Sequence, residues 1–180
     1  MNSPPRLAKE AEVGAIGLAV VPEAERKGEL LARLHELRGS MRSLAAMLDT
    51  CVKCGNCVEQ CHSYLGTGDP RNAPPARADL VRKLYRRHFT LAGRLFGRAA
   101  GAEDFSQENL DDWFTYFYQC NECRRCAVFC PFGIDTAEVT IAARHLLSEL
   151  GILPRFMQQV ALNMQKTGNK GFCGISGVIG

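Results

Sequence analysis

Leu30, Leu34, Leu37, Met41, Leu44 and Leu48 recur at steps of three and four residues, which turns one apolar stripe toward a core and predicts an amphipathic helix leading to residue 50. Gly39-Ser40 interrupts the stripe and predicts that it splits into two helices. The same periodicity returns from Ala76 to Phe89, with Leu80, Val81, Leu84 and Tyr85 on one face. Ser106 is placed to cap a helix over Gln107 to Tyr118, whose stripe is Leu110, Trp113, Phe114 and Phe117. Thr136 is placed to cap another that runs to Leu150 and stops at Gly151, with Pro154 just beyond. Pro154 to Gln165 reads as a last short helix, and GTGDPRNAPP, residues 66–75, as turn and loop. The two-residue alternation of a strand is almost absent, so the predicted fold class is all-α.

With 180 residues and 46% hydrophobic side chains, the chain is able to bury a core. The apolar run Val13 to Val21 follows Glu10 and Glu12 and ends in Pro22 without a small-residue cleavage site, which argues against an export signal. No stretch approaches the ~20 apolar residues of a membrane span. The expected setting is therefore the reducing cytoplasm, where an odd count of nine clustered cysteines points to metal binding rather than to disulfides.

The spacing sharpens that expectation. Cys51, Cys54, Cys57 and Cys61 form a C-x2-C-x2-C-x3-C run, and Cys120, Cys123, Cys126 and Cys130 repeat it, with Pro131 after the last. Three thiolates at this spacing wrap a short turn around an iron–sulfur cube and reach three of its corners, which leaves the fourth ligand to come from elsewhere. Structural zinc prefers two separated knuckles closing one tetrahedron, where a third cysteine at the next step has no role. Disulfides within so short a turn would constrain little. In two-cluster ferredoxins the fourth ligand is the last cysteine of the other run. By that likeness one 4Fe-4S cluster is expected on Cys51, Cys54, Cys57 and Cys130, and a second on Cys120, Cys123, Cys126 and Cys61. Cys173, in GFCG, stands outside both runs and reads as a free thiol.

Two such runs separated by helices, the second closing as CPFGID, resemble the α-helical ferredoxin module of heterodisulfide-reductase-like proteins. The nearest likeness is to the N-terminal part of the DsrK-type iron–sulfur subunit of sulfite-reduction-associated complexes, through Cys61-His62 at the end of the first run and Tyr85-Arg86-Arg87 between the runs. The resemblance covers about Leu44 to Gly168. It implies an N-terminal extension over 1–29, a helical ferredoxin domain with two 4Fe-4S clusters over 30–153, and a C-terminal helix and tail over 154–180. Catalytic chains of that family continue into repeats with a Cys-Cys-Gly triplet, whereas this sequence has no adjacent cysteine pair. The expectation is thus an electron-transfer subunit, or the front piece of a truncated chain. No catalytic centre of its own is visible: nucleophile and base pair, phosphate loop and dinucleotide fingerprint are all missing. The implied partners are a membrane cytochrome subunit or a catalytic disulfide-reductase or flavin subunit, reached from the cytoplasmic side or at the inner face of the membrane.

Charge adds one further feature. From Arg71 to Arg98 eight cations stand against Asp79 alone, a formal +7 in a chain of net +3. Either a solvated basic face or a docking face for an acidic partner, centred on Arg82, Arg86 and Arg87, is expected from this. The rival function is an iron–sulfur redox sensor or structural module whose basic helix binds nucleic acid, but a duplicated cysteine run favours the relay, so no nucleic acid is expected. His62, His88 and His145 read as structural or surface residues.

Overall fold

The computed structural model describes residues 4–168, and among these the regular elements are helices, joined by one antiparallel bridge between Leu7 and Pro154. In chain order they are α1 (Glu10–Gly14), α2 (Glu23–Ser40), α3 (Arg42–Thr50), α4 (His62–Thr67), α5 (Pro74–Phe89), α6 (Leu91–Phe96), α7 (Gln107–Tyr118), α8 (Arg125–Val128), α9 (Thr136–Glu149) and α10 (Arg155–Thr167). Short 3-10 turns lie at Pro70–Asn72 and Gly97–Ala100.

The predicted long helix does break, at Met41, one residue beyond Gly39-Ser40. Ser40 Oγ donates back to the carbonyls of Glu36 and Leu37, which competes with continuation of the helix. Helix α5 begins two residues before Ala76, because Pro74 and Pro75 occupy its first turn, where a missing N–H costs nothing. Ser106 caps α7 as expected, accepting from the Asn109 N–H at 3.1 Å. The cap of α9 is Asp135 rather than Thr136: its carboxylate accepts from the Ala137 N–H at 2.9 Å, and its negative charge suits the helix N-terminus.

The core gathers Leu30, Leu34, Leu44 and Leu48 from α2 and α3, Val81 and Leu84 from α5, Trp113 and Phe117 from α7, and Val139, Leu146 and Leu147 from α9. Each fully buried leucine contributes roughly 1.5–3 kcal/mol. Trp113 and Phe117 meet edge to face at 5.6 Å, one turn apart on α7. A smaller core of Ala8, Val13 and Leu153 fastens the N-terminal residues to the corner between α9 and α10. The Ala8 N–H donates to Leu153 O at 3.0 Å, and the Val21 N–H to Leu150 O at 3.1 Å. The apolar run Val13 to Val21 lies in and beside this core.

The basic segment is only in part the exposed face that its charge predicted: Arg71, Lys83, Arg94 and Arg98 are exposed, but two of its arginines are not. Arg77 and Arg82 are buried, at 2% and 1% exposure. Arg82 donates to the Leu48 carbonyl and pairs with Asp79, so it joins α5 to α3 instead of facing a partner. Lys83 pairs with Glu103, Arg71 with Asp69 and Asp112, and Arg86 donates to the Ala100 carbonyl. The expected docking face centred on Arg82, Arg86 and Arg87 therefore loses Arg82, while Arg86 and Arg87 are half-buried. Within α5, Arg82 and Lys83 meet carboxylates of this same chain.

Candidate metal centre

Helix α3 ends at Thr50 and releases Cys51 into extended backbone, while α7 ends just before Cys120, so each cysteine run is a loop leaving a core helix. The two loops share one backbone form. Lys53 and Gly55 hold left-handed dihedrals in the first (φ 58° and 91°), and Glu122 and Arg124 hold them at the matching positions of the second (φ 53° and 57°). That region costs an L-residue roughly 1–2 kcal/mol, so contacts from outside each loop must hold it there. Lys53 Nζ lies 2.6 Å from Asp79 Oδ2 on α5. Glu122 Oε1 lies 2.5 Å from Arg144 Nη1 on α9, and Arg124 reaches Asp135 at 3.0 Å and Glu138 at 2.5 Å. Arg144 also donates to the Phe117 carbonyl at 2.8 Å and to that of Cys120, which ties the second loop to the end of α7.

None of the eight cysteines of the runs is in a disulfide. Cys51, Cys54 and Cys57 line one cavity together with Cys126 and Cys130 of the other run. Burial, then the neighbouring charges of Cys126, Cys51 and Cys130, push the Cys57 thiol up to about 11. Cys61 is turned away from that group and buried. Its thiol donates to Asn72 O at 3.7 Å, and its sulfur lies 3.5 Å from Arg77 Nη2. The Cys126 thiol is also raised, chiefly by burial; Thr136 and the Arg77 guanidinium act against this, and the charge of Cys120 acts with it. The last cysteine of the second run thus borders the cavity of the first, while Cys61 shares Arg77 with Cys126.

The loops are stitched together by polar contacts. Asn72 Nδ2 donates to Gln119 Oε1 at 2.6 Å, Ser63 Oγ to Gln119 O at 2.9 Å, and Arg125 Nη1 sits 3.2 Å from His62 Nε2. His62 is exposed and engaged with that arginine. Cys173 lies outside the described residues.

Arg77 tests what the thiols are suited to hold. Its Nε and Nη1 have no hydrogen-bond partner, and Asn72 Oδ1 has none either. A permanently charged guanidinium buried without an anion costs several kcal/mol. Among the described residues, no three Cys, His, Asp or Glu side chains converge as tightly as a single metal ion requires. The thiols of both runs instead border one cavity, and a buried cation touches Cys61 outside it, a donor set that fits thiolate-bound, multi-iron clusters carrying net negative charge.

Arg77, Asp79 and Arg144 were not legible as site residues. A signal for Arg77 existed: it is in phase with Val81 and Leu84, at steps of four and three, so an arginine stands on the apolar stripe of α5. Nothing in the sequence marks Asp79 or Arg144, whose roles arise from contacts across the fold.

An all-helical frame presenting two equivalent cysteine loops defines an iron–sulfur protein of the electron-transfer class. The family model of the 4Fe-4S dicluster domain matches residues 47–134. The Hdr-like menaquinol oxidoreductase iron-sulfur subunit 2 of Archaeoglobus fulgidus is 49% identical over 71% of this chain and 23% of its own length. The Hdr-like menaquinol oxidoreductase iron-sulfur subunit of Archaeoglobus profundus is 48% identical over 78% of this chain and 25% of its own. A subunit of the dihydromethanophenazine:CoB--CoM heterodisulfide reductase of Methanosarcina barkeri is 33% identical over 59% and 25%. No solved structure gives a significant match. The chain is a homologue of Hdr-like iron–sulfur subunits and carries a 4Fe-4S dicluster domain, which implies electron transfer through 4Fe-4S clusters. It spans about a quarter of the length of the curated relatives it matches. Among the described residues no helix is long and apolar enough to cross a membrane.

Proposed function

We propose that this protein relays electrons through two 4Fe-4S clusters within a multi-subunit Hdr-like oxidoreductase, one held by Cys51, Cys54, Cys57 and Cys130 and the other by Cys120, Cys123, Cys126 and Cys61. The observation that carries the reading is the shared cavity: Cys126 and Cys130 of the second run line it beside the first run's thiols, so the two sets adjoin. Bound clusters of this kind supply one-electron transfer. The chain's own residues hold the thiols in two fixed loops, bury Cys61, and place a cation beside the second set. Relatives named as menaquinol oxidoreductase and heterodisulfide reductase subunits suggest a quinol-oxidising membrane protein as donor and a disulfide-reducing centre as acceptor, met at the cytoplasmic face of the membrane.

Iron and sulfide analysis of anaerobically purified protein tests the reading. About eight irons and eight sulfides per chain are expected, since eight thiolates fill two cubanes. Zinc in their place, or only four irons, would remove the two-cluster relay.

A further inference from the structure

Among the described residues, Arg77 is the one buried cation of α5 with neither a carboxylate nor a carbonyl partner. Arg82, five residues on, is buried just as deeply but has Asp79 and the Leu48 carbonyl. Arg77 is 2% exposed and touches the Cys61 sulfur, at 3.5 Å, with Nε and Nη1 unpaired. A neutral thiol is too weak an acceptor to offset the burial of a guanidinium. Helix α5 nevertheless places it there, in phase with Val81 and Leu84 and close behind the two prolines that start the helix.

We infer that Arg77 is a potential-setting residue, a fixed buried positive charge that favours electron uptake at the cluster bound by Cys61, Cys120, Cys123 and Cys126. The inference rests on the two-cluster reading above. One-electron reduction adds one negative charge beside Arg77. The positive guanidinium attracts that added charge. Burial removes the solvent that would screen it. Among the described residues no buried cation is in hydrogen-bond contact with a sulfur of the first set. Lys53, the cation within its loop, is 55% exposed and shares Asp79 with Arg82, so it is solvent that screens its charge. The fold therefore favours electron uptake at the second cluster, on the side of Cys61 and Arg77.

The test is a redox titration of the full chain followed by paramagnetic resonance, with Cys54→Ala and Cys123→Ala used to assign each signal. Arg77→Met is expected to keep eight irons and to make reduction of the second cluster at least tenfold less favourable, a fall of about 59 mV for a one-electron couple. The first cluster should move less. Arg77→Lys, which restores the charge without the planar fork, should return the second cluster to within about tenfold of wild type. If Arg77→Met cannot hold the second cluster, the lysine variant decides: a wild-type-like midpoint in it supports the charge, and loss of the cluster there too overturns it. An unchanged second midpoint in Arg77→Met, or a lysine variant displaced as far as the methionine one, also overturns the inference while leaving the relay intact. Wild-type protein without two reducible clusters would instead remove the reading on which it rests.

Discussion

Lys53 and Glu122 each stand two residues beyond the first cysteine of their run, and both hold left-handed backbone against an ion partner of opposite charge on a helix behind the loop. The signs are exchanged, lysine against Asp79 on α5 and glutamate against Arg144 on α9. The mechanical role is the same. Glycine at either position is expected to keep the iron content, because it removes the dihedral cost as it removes the ion pair. A β-branched residue adds strain and should lower it. Iron per chain in Glu122→Gly and Glu122→Val is the check, with the valine variant expected to lose the larger share.

Arg144 has a wider reach than its partner. It joins Glu122 to the carbonyls of Phe117 and Cys120, and its loss would remove the guanidinium from both, leaving the Phe117 carbonyl only backbone donors such as the Cys120 N–H. Arg144→Ala should destabilise the fold by roughly 1.5–3 kcal/mol, the range for hydrogen bonds involving a charged group. Denaturant melts of iron-loaded protein measure this. An unchanged midpoint would mean that α9 does not hold the loop.

The crossed ligation makes a prediction that local ligation does not. Cys61→Ala should disturb the paramagnetic signal that Cys123→Ala disturbs, although Cys61 belongs to the first run, and Cys130→Ala should match Cys54→Ala. Should Cys61→Ala match Cys54→Ala instead, each run holds its own cluster and the adjoining thiols carry no pairing.

Gly151 closes α9 in a left-handed turn (φ 74°), and a Cβ there would lie 2.6 Å from the Ala19 carbonyl oxygen. Gly151→Ala is expected to cost at least about 1–2 kcal/mol from the dihedral alone. The clash should also loosen residues 19–20. Thermal melting reads the first effect, and proteolysis within residues 15–22 the second.

Asp104 links three segments. Burial raises its carboxyl, but Lys27 at 2.9 Å, the Phe105 N–H at 2.7 Å and His88 at 2.9 Å outweigh this and hold it well below the usual carboxylate range. A lowered folded value means that the contribution is complete above the unfolded carboxylate value of about 3.9 and is lost as pH falls below it. Both partners of the Lys27 pair are nearly half exposed, so the effect should stay under about 1 kcal/mol. Asp104→Asn should flatten stability against pH between about 4 and 2, and an unaltered slope would assign the acid sensitivity to other carboxylates.

The helices, their core faces and the eight cysteines of the runs were legible in the chain because each rests on local periodicity or spacing. Ser106, Trp113 and the Leu30 to Leu48 stripe sit where their neighbours in sequence place them. Small shifts had local causes: at α9 Asp135 rather than Thr136 took the orphan N–H, and α5 starts at Pro74 because a first turn tolerates the missing N–H of proline. What sequence could not decide was the fate of charge. Eight cations between Arg71 and Arg98 read as a surface, yet whether a guanidinium meets water, a carbonyl or a sulfur depends on which helices pack over it. Helix α5 lies against α3, α7 and α9, and that packing alone turned Arg82 to Leu48 and left Arg77 beside Cys61 with two donors unpaired. Spacing along the chain determines which thiols can share a loop. Only the tertiary arrangement brings Cys130 to the first run's cavity and a buried cation to Cys61, because those contacts join residues distant in sequence.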